Sequence, residues 1–225
     1  DRSTAMGNFT IASGFYSTAM GRETTANGDY STAMGNGTTA SGSRSTAMGQ
    51  STTAIGFAST TMGQVTTARG DWSTAMGYRT EAGGSSSTSM GRETKAIGNY
   101  STAMGYYTTA SISHSTAMGY YTTASGYVST AMGAQTTASG SRSTAMGEGT
   151  TASGNYSTAM GLYTIASDRS SLVIGEYNLL GSTVTNSATQ FSTDNTAFVI
   201  GNGADSDNRS DALTVLFDGT TTIAG

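Results

Sequence analysis

The chain has 225 residues, of which 31 are Gly, none is Pro or Cys, and only 36% are apolar, a composition that points to a repeat protein rather than a compact globule. Without Cys there is no disulfide framework or thiolate metal site, so an exported form must draw its stability from backbone pairing and oligomerisation. A formal charge of −4 with ten Lys and Arg leaves no basic stripe for nucleic acid, no apolar run approaches the ~20 residues of a membrane span, and no leader-like segment opens the chain, so a secretion signal and anchor are expected outside these residues.

From residue 1 a pentapeptide of the type STAMG, ending in Gly7, alternates with one of the type TTASG, ending in Gly14. The pair recurs at Gly21 and Gly28, Gly35 and Gly42, and onward, so a fourteen-residue unit fills residues 1–168 in twelve copies. Each half is seven residues, too short for a helix and suited to a short strand and a tight turn. The pattern predicts an all-β parallel β-solenoid in which each coil is strand, turn, strand, turn. The Gly residues are expected to supply positive φ at the strand ends, a turn role rather than a phosphate-binding one. Ile112 takes a Gly slot, so a local distortion is expected there, and Asp168 ends the series.

Side chains alternate across a strand, which puts Ser3, Ala5 and Gly7 on one face and Thr4 and Met6 on the other. The Ala5-type site takes only Ala, Ser or Thr in both halves, with Thr61 and Ser89 the largest departures, as a cramped interior requires. The outward face of the TTASG half accepts Arg69, Glu81 and Lys95, charges that are costly to bury unpaired. The outward face of the STAMG half differs. It carries Thr4 and its equivalents with all twelve Met of the chain, namely Met6, Met20, Met34, Met48, Met62, Met76, Met90, Met104, Met118, Met132, Met146 and Met160, and no charge. Stacked at the strand spacing, these make an apolar ridge about 50 Å long, whose expected role is to pack against copies of itself. The alternative, with Met inside and Ala outside, requires a solvent-facing site that never accepts a large or charged residue.

STAMG and TTASG at this spacing resemble the YadA-like head repeats of trimeric autotransporter adhesins, whose units read roughly SVAIG, and Ser171-Leu172-Val173-Ile174-Gly175 comes close to that form. The resemblance covers about residues 1–175. It implies a left-handed parallel β-roll, homotrimeric about a threefold axis, with Thr4 and Met6, their equivalents, and Leu172 and Ile174 as the interface. Thr stands where the family pattern has an aliphatic residue. The same resemblance implies an extracellular place, on a cell surface or a virion fibre.

Residues 176–225 leave the period and are expected to form a separate β module or neck. The stretch holds Leu179-Leu180-Gly181, a polar run over 182–195, Ala197-Phe198-Val199-Ile200-Gly201 and Ala212-Leu213-Thr214-Val215-Leu216-Phe217. It resembles the segment that joins such rolls to a self-cleaving C-terminal chaperone of the endosialidase type in bacterial and phage fibre proteins. With Gly225 the last residue, that resemblance implies a boundary there or a chaperone removed after trimerisation.

No constellation of catalytic or cofactor-binding residues emerges, so neither an enzyme nor a cofactor is expected. His114 is the single histidine and occupies a turn slot. Asp205, Asp207 and Asp211 offer oxygens for calcium but lack the EF-hand pattern, and a solvated turn is the alternative. Aromatic residues gather in the turn slots, eleven of the twelve Tyr among them. Tyr106, Tyr107, Tyr120 and Tyr121 are the candidate patch for a surface glycan or protein, and edge packing is the other reading of them. The leading function is an adhesive or structural fibre. Its rivals are a fibre shaft with no binding role, a glycan-degrading spike, which needs paired carboxylates the repeats do not supply, and an ice-binding solenoid. The ice reading rests on Thr25, Thr39, Thr53 and Thr67, a row that Arg69, Glu81 and Lys95 interrupt.

Overall fold

The computed structural model describes residues 2–180 and 187–224 and divides into two compact units, Asp1–His114 and Ser115–Gly225. In the first unit the STAMG segments form five-residue strands from Thr4–Asn8 to Thr102–Tyr106. The TTASG segments form two-residue strands from Ile11–Ala12 to Thr109–Ala110. Each strand pairs in parallel with its equivalent one coil on, without slip: Thr4 faces Thr18, Met6 faces Met20, and Thr67 faces Glu81. Among the described residues there is no helix, and the chain is an all-β parallel solenoid.

The second unit repeats the pattern from Thr116–Tyr120 and Thr123–Ala124 to Thr158–Leu162 and Ile165–Ala166. The strand Leu172–Glu176 follows, and Thr196–Asn202 pairs with it in parallel, Ile174 against Ile200 and Gly175 against Gly201. Parallel pairing therefore runs on past residue 175 into the stretch expected to be a separate module. Asp211–Leu216 then adds antiparallel to Thr196–Asn202, and Thr221–Ile223 antiparallel to Asp211–Leu216. Gly181 and residues 182–186 of the polar run lie outside the described residues.

The interior consists of small side chains. Ala19, Ala26, Ala33 and Ala40 are fully buried, as are Thr24 and Thr38, with Ser17 and Ser31 nearly so, whereas Met20 stays 38% exposed. Burial thus excludes the arrangement with Met inside. A coil this flat has no room for a larger core, which is why the Ala sites vary so little. The two departures remain polar and buried, and Ser89 Oγ lies 2.7 Å from Thr94 Oγ1 across the coil. Several interior serines donate to the carbonyl three residues back, Ser101 Oγ to Gly98 O at 2.6 Å and Ser157 Oγ to Gly154 O at 2.7 Å.

The Gly residues divide into two roles, one of which corrects the sequence expectation. Those of the STAMG half have positive φ, as at Gly21 with φ 125°. Those of the TTASG half do not; Gly is required there by space, since a Cβ on Gly28 would lie 2.0 Å from the carbonyl oxygen of Gly42 in the next coil. The left-handed residue of both turns is instead the second variable one, almost always a non-Gly: Tyr16 at φ 55°, Val65 at 57°, Tyr107 at 53°, His114 at 61°. Its amide donates to the turn carbonyl of the previous coil, Tyr30 N to Phe15 O at 2.7 Å. In the turns after the short strands, where the first variable residue is Asp or Asn, its side chain also takes the previous coil's first turn amide, as Asp29 Oδ1 does from Phe15 N at 2.9 Å and Asp71 Oδ1 from Phe57 N at 2.8 Å.

The short-strand sheet ends at Ile165–Ala166, and side chains replace the missing strand. Asn178 Oδ1 accepts from Ile165 N at 2.7 Å, and its Nδ2 donates to Ile165 O and Leu179 O at 3.0 Å. Asp168, in the last Gly slot and buried, accepts from Thr196 N at 2.7 Å. Further along, Asn155 N donates to Ala188 O at 2.7 Å, which lays the following segment over the last turns.

Candidate functional site

In each unit the outward face of the long strands forms a column of stacked side chains. Register pairing stacks Met62 on Met76 and Met76 on Met90 in the first unit, and Met118 on Met132 and Met132 on Met146 in the second. Most of these Met, and the Thr beside them such as Thr88 and Thr102, are half-buried by their own column, while Met6 and Met62 are exposed at 56% and 39%. The column does not stop with Met160. Leu172 follows Thr158, and Phe198 follows Leu172, with Ile200 on Ile174. Phe198 and Ile200 are members that the sequence reading left in another module. The signal was present, because Leu-Val-Ile-Gly at 172–175 and Phe-Val-Ile-Gly at 198–201 share one pattern, but a connection longer than one coil separates them.

The opposite outward face is polar. Thr25, Thr39, Thr53 and Thr67 lie in register, and the row then passes to Glu81 and Lys95. Arg69 pairs with Glu81 at 3.0 Å on that face, so the row is neither flat nor uncharged.

The two turn rims carry the aromatic residues. Tyr16 stacks on Tyr30 with ring centroids 5.4 Å apart, Tyr163 on Tyr177 at 5.1 Å, and His114 on Tyr100 at 5.0 Å. The candidate tyrosines form two edge-to-face pairs, Tyr106 with Tyr107 in the first unit and Tyr120 with Tyr121 in the second, each with centroids 4.6 Å apart. Guanidinium groups sit over the rings: Arg92 Cζ is 5.5 Å from the Tyr78 ring and 5.4 Å from that of Tyr106.

The acidic loop is occupied by its own bonds. Asp205 Oδ1 accepts from the amides of Asp207 and Asn208 at 2.9 Å, and Asn208 Nδ2 reaches both carboxylate oxygens at 3.0 Å. These donors, the Asn208 side chain first, hold the Asp205 carboxyl below its ordinary 3.8. A lowered carboxyl favours the folded loop above pH 3.8 and loses that contribution as the pH falls through the lower folded value. Asp211 is turned away, accepting from Leu179 N at 2.9 Å and from Thr214 Oγ1 at 3.3 Å. Among the described residues no group of three or more His, Cys, Asp or Glu is placed to hold a metal ion. A cavity of about 200 Å³ lies where the interior meets the closing strands, lined by Asp168, Asn178, Thr196 and Asp211, whose polar atoms bond the backbone around it.

The sequence profile described as YadA head domain repeat (2 copies) matches residues 1–24, 12–38, 26–52, 40–56, 68–94, 82–108, 96–122, 113–136, 124–150 and 138–164. No curated protein matches the chain. With parallel fourteen-residue coils, a small-residue interior and these matches over most of its length, the chain belongs to the YadA head domain repeat family.

Proposed function

We propose that this chain is a segment of an extracellular fibre, a left-handed roll that trimerises through its Thr–Met column and serves attachment rather than catalysis. One observation carries the reading: within each unit the Thr–Met column runs in register from coil to coil, free of charge and only half-covered by its own chain. An apolar strip of that length is costly to leave in water, at about 25 cal/mol per Å². Three copies facing one axis would cover it. In this reading Leu172, Ile174, Phe198 and Ile200 continue the interface, and residues 176–225 form the neck beyond the repeats. The Tyr106–Tyr107 and Tyr120–Tyr121 pairs are then rim sites repeated three times per fibre, where avidity replaces single-site affinity.

The test is the mass of the particle in solution. The parent chain is expected at three times the chain mass. Met90→Glu brings three carboxylates into one apolar seam and is expected to dissociate or unfold the assembly. Thr67→Glu, on the face that already carries Glu81, is expected to leave the mass unchanged. A monomeric parent chain sinks the proposal.

A further inference from the structure

In the second unit the rim formed by the turns after the short strands carries a run of basic and aromatic residues. Tyr127, Arg142, Tyr156 and Arg169 succeed one another along it, and their side chains interleave. Arg142 Cζ lies 5.8 Å from the Tyr127 ring and 5.4 Å from the Tyr156 ring. Arg169 Cζ lies 5.2 Å over the same Tyr156 ring. Arg142 Nη1 donates to the Tyr156 hydroxyl at 3.0 Å, and Arg169 Nη1 to Thr189 O at 3.2 Å. Two cations and two rings thus alternate in a ladder.

Among the described residues neither Arg142 nor Arg169 forms an ion pair. Glu148 and Glu176 occupy the turns of the other rim, and the Asp168 carboxylate is buried on Thr196 N. In a chain of net charge −4 this is a local positive strip, with Tyr127 and Tyr156 exposed at 45% and 46%. Stacking on the rings holds the guanidinium groups in place before any ligand arrives, so little side-chain entropy remains to be lost on binding. Arg142 retains N–H donors in a planar fork suited to an oxyanion, whereas the Arg169 Nε is buried and that residue offers an oxyanion only its remaining Nη donors.

From this arrangement we infer that the rim binds an acidic polysaccharide, with its carboxylate or sulfate groups on Arg142 and Arg169 and its sugar rings against Tyr127 and Tyr156. The geometry favours a linear ligand because cation and ring alternate with the coil rise of about 4.8 Å, close to the length of one sugar ring, so successive residues of the ligand meet successive coils. A single-stranded nucleic acid also stacks on aromatic ladders, but its charge on every unit calls for a longer run of cations than two. The inference gives the attachment role proposed above its chemistry, yet the ladder lies within one unit and needs no second chain.

The experiment uses the full chain, with binding to immobilised heparin, polygalacturonate and neutral dextran measured beside an oligothymidylate. Binding to at least one of the two acidic polymers is expected, and none to dextran; heparin alone assigns the sites to sulfate, polygalacturonate alone to carboxylate. Arg142→Gln is expected to weaken binding about tenfold or more, the effect of one charge-assisted pair. Tyr156→Ser keeps both charges but removes the stacking and is expected to weaken it comparably. Arg79→Gln, which makes the same charge change in the first unit, is expected to cost less than twofold. Melting temperatures of the variants establish that each is folded. Failure of both acidic polymers to bind overturns the inference, as does an equal loss in Arg142→Gln and Arg79→Gln, full binding by Tyr156→Ser, or tighter binding of the oligothymidylate. Particle mass reports on trimerisation separately, so a monomer that still binds overturns the assembly and not the ladder.

Discussion

At the scale of single residues the turns carry a cost that their side chains offset. The second turn residue needs φ near +55°, which L-residues adopt at roughly 1 kcal/mol or more, yet Gly fills it only at Gly37 and Gly149. Aromatic residues regain much of that by stacking along the rim, as Tyr16 does on Tyr30 and Tyr163 on Tyr177. Val65, at φ 57° and 45% exposed, is β-branched and has no ring to stack. Val65→Gly is therefore expected to raise stability by about 0.5–1 kcal/mol, read as a higher urea midpoint. A lower midpoint would show that the valine contributes packing that outweighs its backbone strain. The Gly of the TTASG half is the opposite case, since its φ is ordinary and the neighbouring coil's carbonyl leaves no room for a Cβ.

At the scale of elements, a parallel sheet of repeated strands needs an end, and the short-strand sheet is finished by one amide. Asn178 presents a donor and an acceptor to Ile165 as the next strand would have done. Asn178→Ala removes these bonds and the one to Leu179 O, leaving the Ile165 N–H and C=O without those partners. The expected cost is about 2 kcal/mol, with faster amide hydrogen exchange at Ile165 and little change in the earlier coils. Unchanged exchange at Ile165 would mean that water replaces the amide at no cost. The long-strand sheet is finished differently. Its last parallel strand, Thr196–Asn202, is covered by the antiparallel Asp211–Leu216, so its edge is not left open for another chain.

At the scale of the whole molecule, the repeat makes stability nearly additive along each unit, because a coil bonds mainly to the coils before and after it. Removing residues 45–58, one full coil, joins Arg44 to Ser59 and restores every register partner. The shortened chain is expected to keep its strand-rich circular dichroism and lose only a little melting temperature. Removing residues 45–51 joins Arg44 to Thr52, so a two-residue strand segment lies on a five-residue one, Met62 and its successors move to the face of Thr25 and Thr39, and Glu81 and Lys95 move to the face of Met20 and Met34. That chain is expected to aggregate or unfold. Equal folding of both would show that the two halves of the coil are interchangeable.

The repeat itself determined the period, the inward Ala and the outward Met, because identical coils stacked in register make each column of the sequence a column in space, and substitutions such as Glu81 and Lys95 mark the wet face. Four features needed the tertiary structure. Which Gly serves backbone conformation and which serves space depends on the distance to the next coil. The place of Phe198 and Ile200 on the column depends on a connection that leaves the period and then returns to register. The closure by Asp168 and Asn178 depends on a strand that is missing, which no local pattern encodes. The ladder of Tyr127, Arg142, Tyr156 and Arg169 crosses from one turn slot to the other, so no single sequence column contains it; only the reach of flexible side chains over neighbouring coils brings those groups together.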